Sequence, residues 1–342
     1  MVTFNQGIVL HGLLPNTHKK TGEASMDFEK ARQHLHGCYV TVPTQFSDNQ
    51  ELSPNIDGIQ SHVRFLLDGG LNDQNAVFLV GGAAGDFSTM TFEERIHVAK
   101  AVVEATEGRV PVAMGAQTTS TAELIQLSKA ARDLGATYIQ VSCPFYFNHS
   151  EQDFLEYVTA AADASDIAII VYNTFWTSTG VSLEMVDKLT NIPNVVGLKW
   201  SSPDIGWMTF ERVIQLFNSR FSIIDNRMEF VASHILGARG FEVHVCNYWP
   251  EWGASLIESL NQKDYVKVQK QLLKVVQPFM QLWQKIEKEY TGGDGYLDKL
   301  CMELVGLPSS RSRPPTRDIR DQYREETRQM LIESGVPRVI RS

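Results

Sequence analysis

Apolar and polar positions along the chain follow two alternating periods. Eight short apolar runs, rich in β-branched residues, are each followed by a longer segment whose apolar residues recur at helical spacing. The runs are residues 37–43, 76–80, 110–115, 138–141, 167–173, 195–200, 221–225 and 240–247. The pattern therefore predicts eight β-strands that alternate with helices.

The predicted helices lie between these strands, and several begin at a threonine, serine or aspartate that can cap them. They are expected near residues 57–69, 91–107, 120–134, 150–164, 182–190, 207–217, 227–237 and 250–261. Strands that alternate with helices pair in parallel, and eight such units match a closed barrel better than an open, doubly wound sheet. We therefore predict an α/β protein with a (β/α)8 TIM barrel.

The two ends of the chain depart from this alternation. Residues 1–25 show no periodicity and end in a polar stretch, which predicts an N-terminal arm. Residues 26–262 carry the barrel pattern. Beyond them the pattern is purely helical, with segments near 263–290, 294–306 and 316–335, so we predict a C-terminal helical extension over 263–342.

Composition limits the class of protein and its partners. Hydrophobic residues make up 43% and charged residues 21%, as in a globular protein. The net charge of −9 would be repelled by nucleic acid and by anionic membranes, so neither is an expected partner. No apolar run is long enough for a transmembrane helix. Four widely separated cysteines suggest neither a disulfide framework nor a zinc cluster and fit a cytoplasmic protein; they are Cys38, Cys143, Cys246 and Cys301.

The sixth predicted strand contains a lysine in an otherwise apolar run. Alternation places Lys199 on the same face as Gly197 and Val195, with Leu198 and Trp200 on the other face. If the first face points into the barrel, burial should lower the pKa of Lys199 and supply an uncharged amine that can attack a carbonyl group. The alternative is a lysine at a strand end whose amine reaches water.

Two tyrosines also fall at strand ends, where a barrel carries its catalytic groups. Tyr172 closes the fifth run, and Tyr146 follows the fourth. A phenol at such a position can transfer protons to and from a reaction intermediate. Core packing with a hydrogen-bonded hydroxyl is the alternative for each of them.

Taken together, the motifs resemble those of the dihydrodipicolinate synthase and N-acetylneuraminate lyase family. The resemblance runs from about Gly37 to the C-terminus and includes a late segment at 306–314. The matching motifs, in chain order, are Gly-x-x-Gly-Asp at 82–86, Pro144-Phe145-Tyr146, Tyr172-Asn173 with Gly180, Ile-Pro-Asn-Val-Val-Gly-Leu-Lys at 192–199, Gly237-x-x-Gly240, Asn247 and Pro250.

This resemblance implies a class I lyase on a TIM barrel that works as a homo-oligomer, a dimer or a tetramer. Lys199 would form a Schiff base with pyruvate or a related 2-oxo acid, and Tyr172 would transfer protons with Tyr146 close by. No cofactor is implied beyond this covalent imine, and an aldehyde would be the second substrate. Backbone N–H groups of the glycine-rich turn would bind the substrate carboxylate; the implied binding residues are Gly82, Ala83, Ala84, Gly85, Asp86 and Asn247.

The chain also departs from the family pattern. Ala83 and Ala84 stand where the family usually has threonines, which removes a hydroxyl that would link the two tyrosines. The loop after Tyr172 lacks the arginine that grips the carboxylate of aspartate semialdehyde, so dihydrodipicolinate synthase activity is not expected. Aromatic residues instead favour an apolar or stacking site for an uncharged aldehyde, or merely pack the rim; they are Trp176, Phe175, Tyr248 and Trp252.

The eighth run places three polar residues on one face of a strand, namely Glu242, His244 and Cys246. Glu242 or His244 could act as an acid or base near the imine, or could belong to a satisfied polar network. We expect no metal there. His34 and His36 suggest none either, because they precede the first strand, at the end of the barrel opposite the catalytic end.

Three functions remain open from the sequence. The first is a lyase of the retro-aldol or hydratase-aldolase type. The second is a Schiff-base dehydratase of a 2-oxo sugar acid, which polar side chains in the distal pocket would favour. The third, motivated by Ala83 and Ala84, is a catalytically silent barrel that binds a metabolite.

Overall fold

The computed structural model describes residues 25–177, 180–201, 208–308 and 310–341. Eight parallel strands close into a barrel in chain order, and β8 pairs with β1. The (β/α)8 prediction is confirmed. The strands are β1 Gly37–Val42, β2 Ala76–Val80, β3 Val112–Gly115, β4 Tyr138–Ser142, β5 Ala168–Asn173, β6 Val195–Trp200, β7 Ser222–Asp225 and β8 Gly240–Glu242.

The helices begin and end within a few residues of their predicted bounds. Polar caps start several of them, and Thr91 and Ser150 form capping boxes that satisfy exposed backbone N–H groups at the first turn. In the barrel they are α2 Ile56–Asp68, α3 Phe92–Thr106, α4 Thr121–Asp133, α5 Glu151–Ala164, α6 Leu183–Leu189, α7 Thr209–Phe217, α8 Phe230–Leu236 and α9 Pro250–Asn261. The predicted arm at 1–25 lies outside the described residues except for Ser25.

A short helix that the sequence pattern did not predict closes one end of the barrel. Helix α1, Phe28–His34, packs Ala31 and the following Leu35 against the inward-facing side chains of the strands. The hydroxyl of Tyr138 donates to the backbone oxygen of Ala31 at 2.8 Å. This plug lies at the N-terminal end of the strands and leaves the opposite end for the site.

A bulge in β6 sets the direction of Lys199. The register with β5 shifts so that Ile169 pairs with Val195 but Ile170 pairs with Gly197. Val195 therefore packs in the outer core and Val196 in the barrel interior, so the prediction that Val195 shares the face of Lys199 is wrong. Beyond the bulge, Leu198 and Trp200 pack outward as predicted.

The eighth strand is shorter than predicted. It ends at Glu242, and residues His244–Asn247 form a 3-10 turn. The prediction that Glu242, His244 and Cys246 share one strand face is therefore wrong, because the tighter turn no longer alternates side chains between two faces. Cys246 is buried in the outer core, and only Glu242 belongs to the strand.

The C-terminal helical region packs onto the barrel. Lys299 forms a buried ion pair with Asp86 at 2.7 Å, and Arg313 forms a bidentate pair with Glu94 at 2.6 and 2.7 Å. These contacts bring residues after 290 to the C-terminal ends of the strands. The helices are α10 Tyr265–Gln271, continued by a π-helical turn Leu272–Val276 into α11 Gln277–Glu289, then α12 Tyr296–Leu304 and α13 Arg320–Ser334. Among the described helices, none is both long and apolar enough to cross a bilayer.

Candidate active site

Lys199 points into the C-terminal end of the barrel. Its amine lies 2.5 Å from Oε2 of Glu242, and the two side chains are 5% and 3% exposed. Nζ also lies 4.7 Å from the ring centroid of Tyr172 and 5.0 Å from that of Tyr39. The lysine and the first tyrosine singled out in the sequence are therefore in contact.

The charge state of Lys199 differs from the prediction. Burial acts to lower the pKa of Lys199, but the carboxylate of Glu242 and the Tyr172 side chain more than offset burial, and the pKa of Lys199 is raised. The predicted uncharged amine is therefore wrong for the free chain. The reason is the ion pair with Glu242, a residue 43 positions further along the chain.

The hydroxyl of Tyr172 belongs to a polar relay that the sequence analysis missed. Asn226 Nδ2 donates to it at 3.0 Å, and it lies 2.9 Å from Oγ of Ser201. Ser201 directly follows β6, and Asn226 directly follows β7. Their positions at strand ends were the signal that could have identified them.

The glycine-rich turn at residues 81–86 follows β2 and folds tightly against β3. A Cβ at Gly115 would lie 2.0 Å from the backbone oxygen of Gly81, so only glycine permits this approach. Thr44 Oγ1 donates to the oxygen of Gly85 at 2.7 Å. Within the turn, Gly85 N donates to Gly82 O and Asp86 N to Ala83 O, both at 3.0 Å.

Members of this turn face different surroundings. Ala83 lines a cavity at the mouth of the barrel, whereas Ala84 is buried. The carboxylate of Asp86 is engaged by Lys299 instead of facing that cavity. The carboxylate of Asp86 therefore helps to attach the C-terminal region to the barrel. Because it is paired with Lys299, it is not free to make the predicted contact with a substrate.

The cavity at the barrel mouth has a volume of about 490 Å³. Tyr172 and Trp176 line it, but Lys199 and Glu242 are not among the described residues on its wall. Its polar side chains are Ser88, Gln117, Ser142, Thr174, Thr177, Glu287 and Asp294, and its larger apolar ones are Phe87 and Phe145. The wall therefore combines these polar side chains with apolar surface from residues such as Phe87, Phe145 and Trp176.

The aromatic residues of the predicted stacking site divide into two groups. Phe175 and Trp176 are partly exposed and border a small pocket of about 80 Å³ beside the cavity at the barrel mouth. Tyr248 and Trp252 are buried in the outer core, with Tyr248 stacked on Phe279. The prediction that all four form one site is wrong, because the 3-10 turn carries Tyr248 and Trp252 away from the cavity.

Two further predicted residues lie away from the cavity. Tyr146 is 88% exposed with a φ of 89°, and its ring packs edge-on against Phe147. Asn247 is buried, and its Nδ2 donates to the oxygen of Thr41 and to Oδ1 of Asp298, both at 3.1 Å. Within one chain, neither residue is therefore placed to touch a substrate of Lys199.

A charged cluster connects the C-terminal region to the end of β8. His244 Nδ1 lies 3.2 Å from both carboxylate oxygens of Asp298, and Asp294 is close enough for these three residues to hold a metal ion. Burial disfavours the charged imidazole, but the carboxylate of Asp298 raises the pKa of His244 to about 10. A metal ion at this cluster would have to displace the proton from Nδ1 of His244, because only a neutral imidazole binds a metal.

The pH dependence of stability should report this cluster. The raised pKa of His244 stabilises the fold fully below its unfolded value of 6.5, and this stabilisation is lost as the pH rises towards about 10. In this pH window, the free energy of unfolding of wild type should fall relative to that of His244→Asn by up to about 1.4 kcal/mol per pH unit. Urea unfolding at several pH values measures the difference. Equal pH slopes in the two proteins would contradict the assignment.

Comparisons with known proteins find relatives over most of the chain. The model of the dihydrodipicolinate synthetase family matches residues 34–334. A 4-hydroxy-tetrahydrodipicolinate synthase of Methanoculleus marisnigri is 27% identical over 303 residues, covering 87% of this chain and 99% of the relative. That of Clostridium perfringens strain SM101 is 32% identical over 219 residues, covering 63% of this chain and 72% of the relative.

The fold is also that of solved structures. YagE, a prophage protein of the dihydrodipicolinic acid synthase family from E. coli K12 solved in complex with pyruvate, superposes with a TM-score of 0.77 at 22% identity. The match covers 88% of this chain and 99% of YagE. With a family match over most of its length, the chain belongs to the dihydrodipicolinate synthetase family.

Proposed function

We propose that the protein is a class I lyase that forms a Schiff base between Lys199 and pyruvate or a related 2-oxo acid. The observation that carries the proposal is the buried amine of Lys199, which lies between the rings of Tyr172 and Tyr39 at the catalytic end of the barrel. Once it has given up its proton, a lysine in such a place is a nucleophile suited to a carbonyl group. The complex of YagE with pyruvate agrees with this substrate class.

The chemistry follows from the imine. The amine of Lys199 adds to the C2 carbonyl, and water leaves. The resulting positively charged iminium accepts the electron pair of the C3–C4 bond. Breaking the C3–C4 bond in this way releases an aldehyde, and the reverse reaction joins one. We assign Tyr172 the proton transfers at the aldehyde oxygen, because Asn226 and Ser201 hold its hydroxyl in place.

We assign the substrate carboxylate to the turn at residues 81–86. The N–H groups of Gly85 and Asp86 already donate within the turn, so the N–H groups of Ala83 and Ala84 are our choice as donors. Backbone donors need no side-chain hydroxyl. The alanines that replace the usual threonines therefore remain compatible with binding.

The distal part of the substrate should carry hydroxyl groups. The cavity wall presents amide, hydroxyl and carboxylate groups from residues such as Gln117, Thr174 and Asp294. Such groups can bind the hydroxyls of a polyhydroxylated chain, while the apolar part of the wall packs against its carbon atoms. The same wall supports a second candidate, a Schiff-base dehydratase of a 2-oxo sugar acid, which would break a C–O bond after forming the same imine.

Borohydride trapping tests the proposal. Incubation with pyruvate and borohydride should add a reduced three-carbon group to Lys199, detected by peptide mass spectrometry. Lys299 is an internal control because it is equally buried and ion-paired but contacts Asp86 instead of Glu242 and Tyr172, so it should stay unmodified. If no small 2-oxo acid gives an adduct at Lys199, the Schiff-base function is refuted and a catalytically silent, metabolite-binding barrel is favoured.

Product analysis separates the two enzymatic candidates. With a panel of 3-deoxy-2-oxo sugar acids, a retro-aldol lyase releases pyruvate and a shorter aldehyde. A dehydratase instead keeps the carbon skeleton and loses the mass of one water. Release of pyruvate would exclude the dehydratase for that substrate.

We further propose a cytoplasmic homo-oligomer with no nucleic-acid or membrane partner. The exposed aromatic pair Tyr146–Phe147 supports the oligomer, because adjoining exposed apolar groups are typical of protein interfaces. Sedimentation should give a mass of a dimer or tetramer, and a monomer at micromolar concentration would contradict this assignment.

A further inference from the structure

Glu242 lies closer to the reacting nitrogen than any group assigned a role above. Its Oε2 is 2.5 Å from Nζ of Lys199, and its Oε1 accepts a hydrogen bond of 2.8 Å from Thr41. A charged carboxylate this deeply buried is costly to a protein unless it is paired. An apolar side chain would fill the same place in the barrel without that cost.

We propose that Glu242 is the acid and base that carries the proton of Lys199 during imine formation. This inference rests on the proposed function, since it assigns a second catalytic residue to the same site. Its basis is contact with the reacting atom, burial away from competing water, and a carboxylate fixed by Thr41.

During imine formation one proton passes from Lys199 to Glu242 and back to the substrate oxygen. The ammonium of Lys199 gives a proton to Glu242, and the neutral amine bonds to C2 of the 2-oxo acid. A second proton moves from nitrogen to the former carbonyl oxygen, which gives a neutral carbinolamine. Glu242 then returns its proton to that hydroxyl, the C–O bond breaks, water leaves, and the nitrogen lone pair forms the C=N bond. The iminium and the carboxylate of Glu242 end as an ion pair.

Tyr172 is less suited to these steps. Lys199 contacts the face of its ring, while its hydroxyl is held by Asn226 and Ser201. Ala83 supplies no hydroxyl that could carry the proton between them. Glu242 thus provides a direct route for the proton of Lys199, and Tyr172 remains available for the aldehyde oxygen.

The test measures the rate of imine formation with pyruvate by rapid mixing and borohydride quenching. Glu242→Gln should slow trapping at Lys199 by about 100-fold or more, the range of a lost acid–base group. The final yield of adduct should match wild type, because the amine remains. Glu242→Asp keeps the carboxyl group but shortens the side chain by one methylene. Its trapping rate should lie between those of wild type and Glu242→Gln.

Glu94→Gln is the matched control. It makes the same chemical change in a glutamate that is paired with Arg313 instead of Lys199, and its trapping rate should equal that of wild type. Wild-type rates in folded Glu242→Gln would overturn the role of Glu242 while leaving the Schiff base intact. If that variant does not fold, a wild-type rate in Glu242→Asp overturns it. Absence of an adduct in wild type would instead refute the proposed function.

Discussion

Replacing Lys199 with methionine should abolish imine trapping and lower the free energy of unfolding by about 3 to 5 kcal/mol. The loss in stability follows because Glu242 would stay buried without its cation. Its carboxylate must then remain unpaired or take up a proton, and either state costs free energy at neutral pH. Urea unfolding measures the effect.

A double variant separates this cost from lost packing. Lys199→Met with Glu242→Gln removes both charges, and we expect it to recover most of the lost stability without any adduct. Lys285→Met breaks a surface pair of Lys285 and Glu326, both more than 40% exposed, and should cost less than about 1 kcal/mol. Unchanged stability in the single Lys199→Met variant would show that Glu242 is not held charged in the barrel.

Replacing Asp86 with asparagine should destabilise the protein by a similar amount, about 3 to 5 kcal/mol. Lys299, which is 1% exposed, would keep its contacts with Ser312 and the ring of Phe46 but lose its carboxylate partner. Asparagine suits the comparison because Asp86 has a φ of 57°, a conformation that asparagine tolerates better than most residues.

The second effect of Asp86→Asn should appear in binding. Because Lys299 anchors the C-terminal region to the turn that we assign to the substrate carboxylate, the variant should need more pyruvate to reach half-maximal trapping. Glu326→Gln makes the same carboxylate-to-amide change in an exposed pair and should alter neither quantity. If Asp86→Asn unfolds like wild type, the buried pair does not hold the two regions together.

Much of the fold follows from local pattern. Strand and helix periods are properties of neighbouring residues, so the barrel and its helix caps, such as Thr91 and Ser150, could be predicted. The bulge at Val196 and the early end of β8 could not, because they depend on how one strand pairs with the next. Helix α1 was not predicted, because its apolar face is short and can be recognised only from its packing against the open end of the barrel.

The candidate site was predicted only in part, because local pattern reveals some of its residues and tertiary packing positions the others. Lys199 and Tyr172 stand at strand ends, a position that the chain order reveals. The charge of Lys199 was mispredicted because it depends on Glu242, which faces it across the barrel from a non-adjacent strand. Asp294 reaches the cavity only through the packing of the C-terminal helices, which no local period records.

A crystal structure of the protein soaked with pyruvate tests the central claim most directly. The Schiff-base mechanism predicts continuous density between Nζ of Lys199 and C2 of pyruvate, with the pyruvate carboxylate at the amides of Ala83 and Ala84. Pyruvate bound elsewhere or without a covalent bond, with the pair of Lys199 and Glu242 undisturbed, would contradict it.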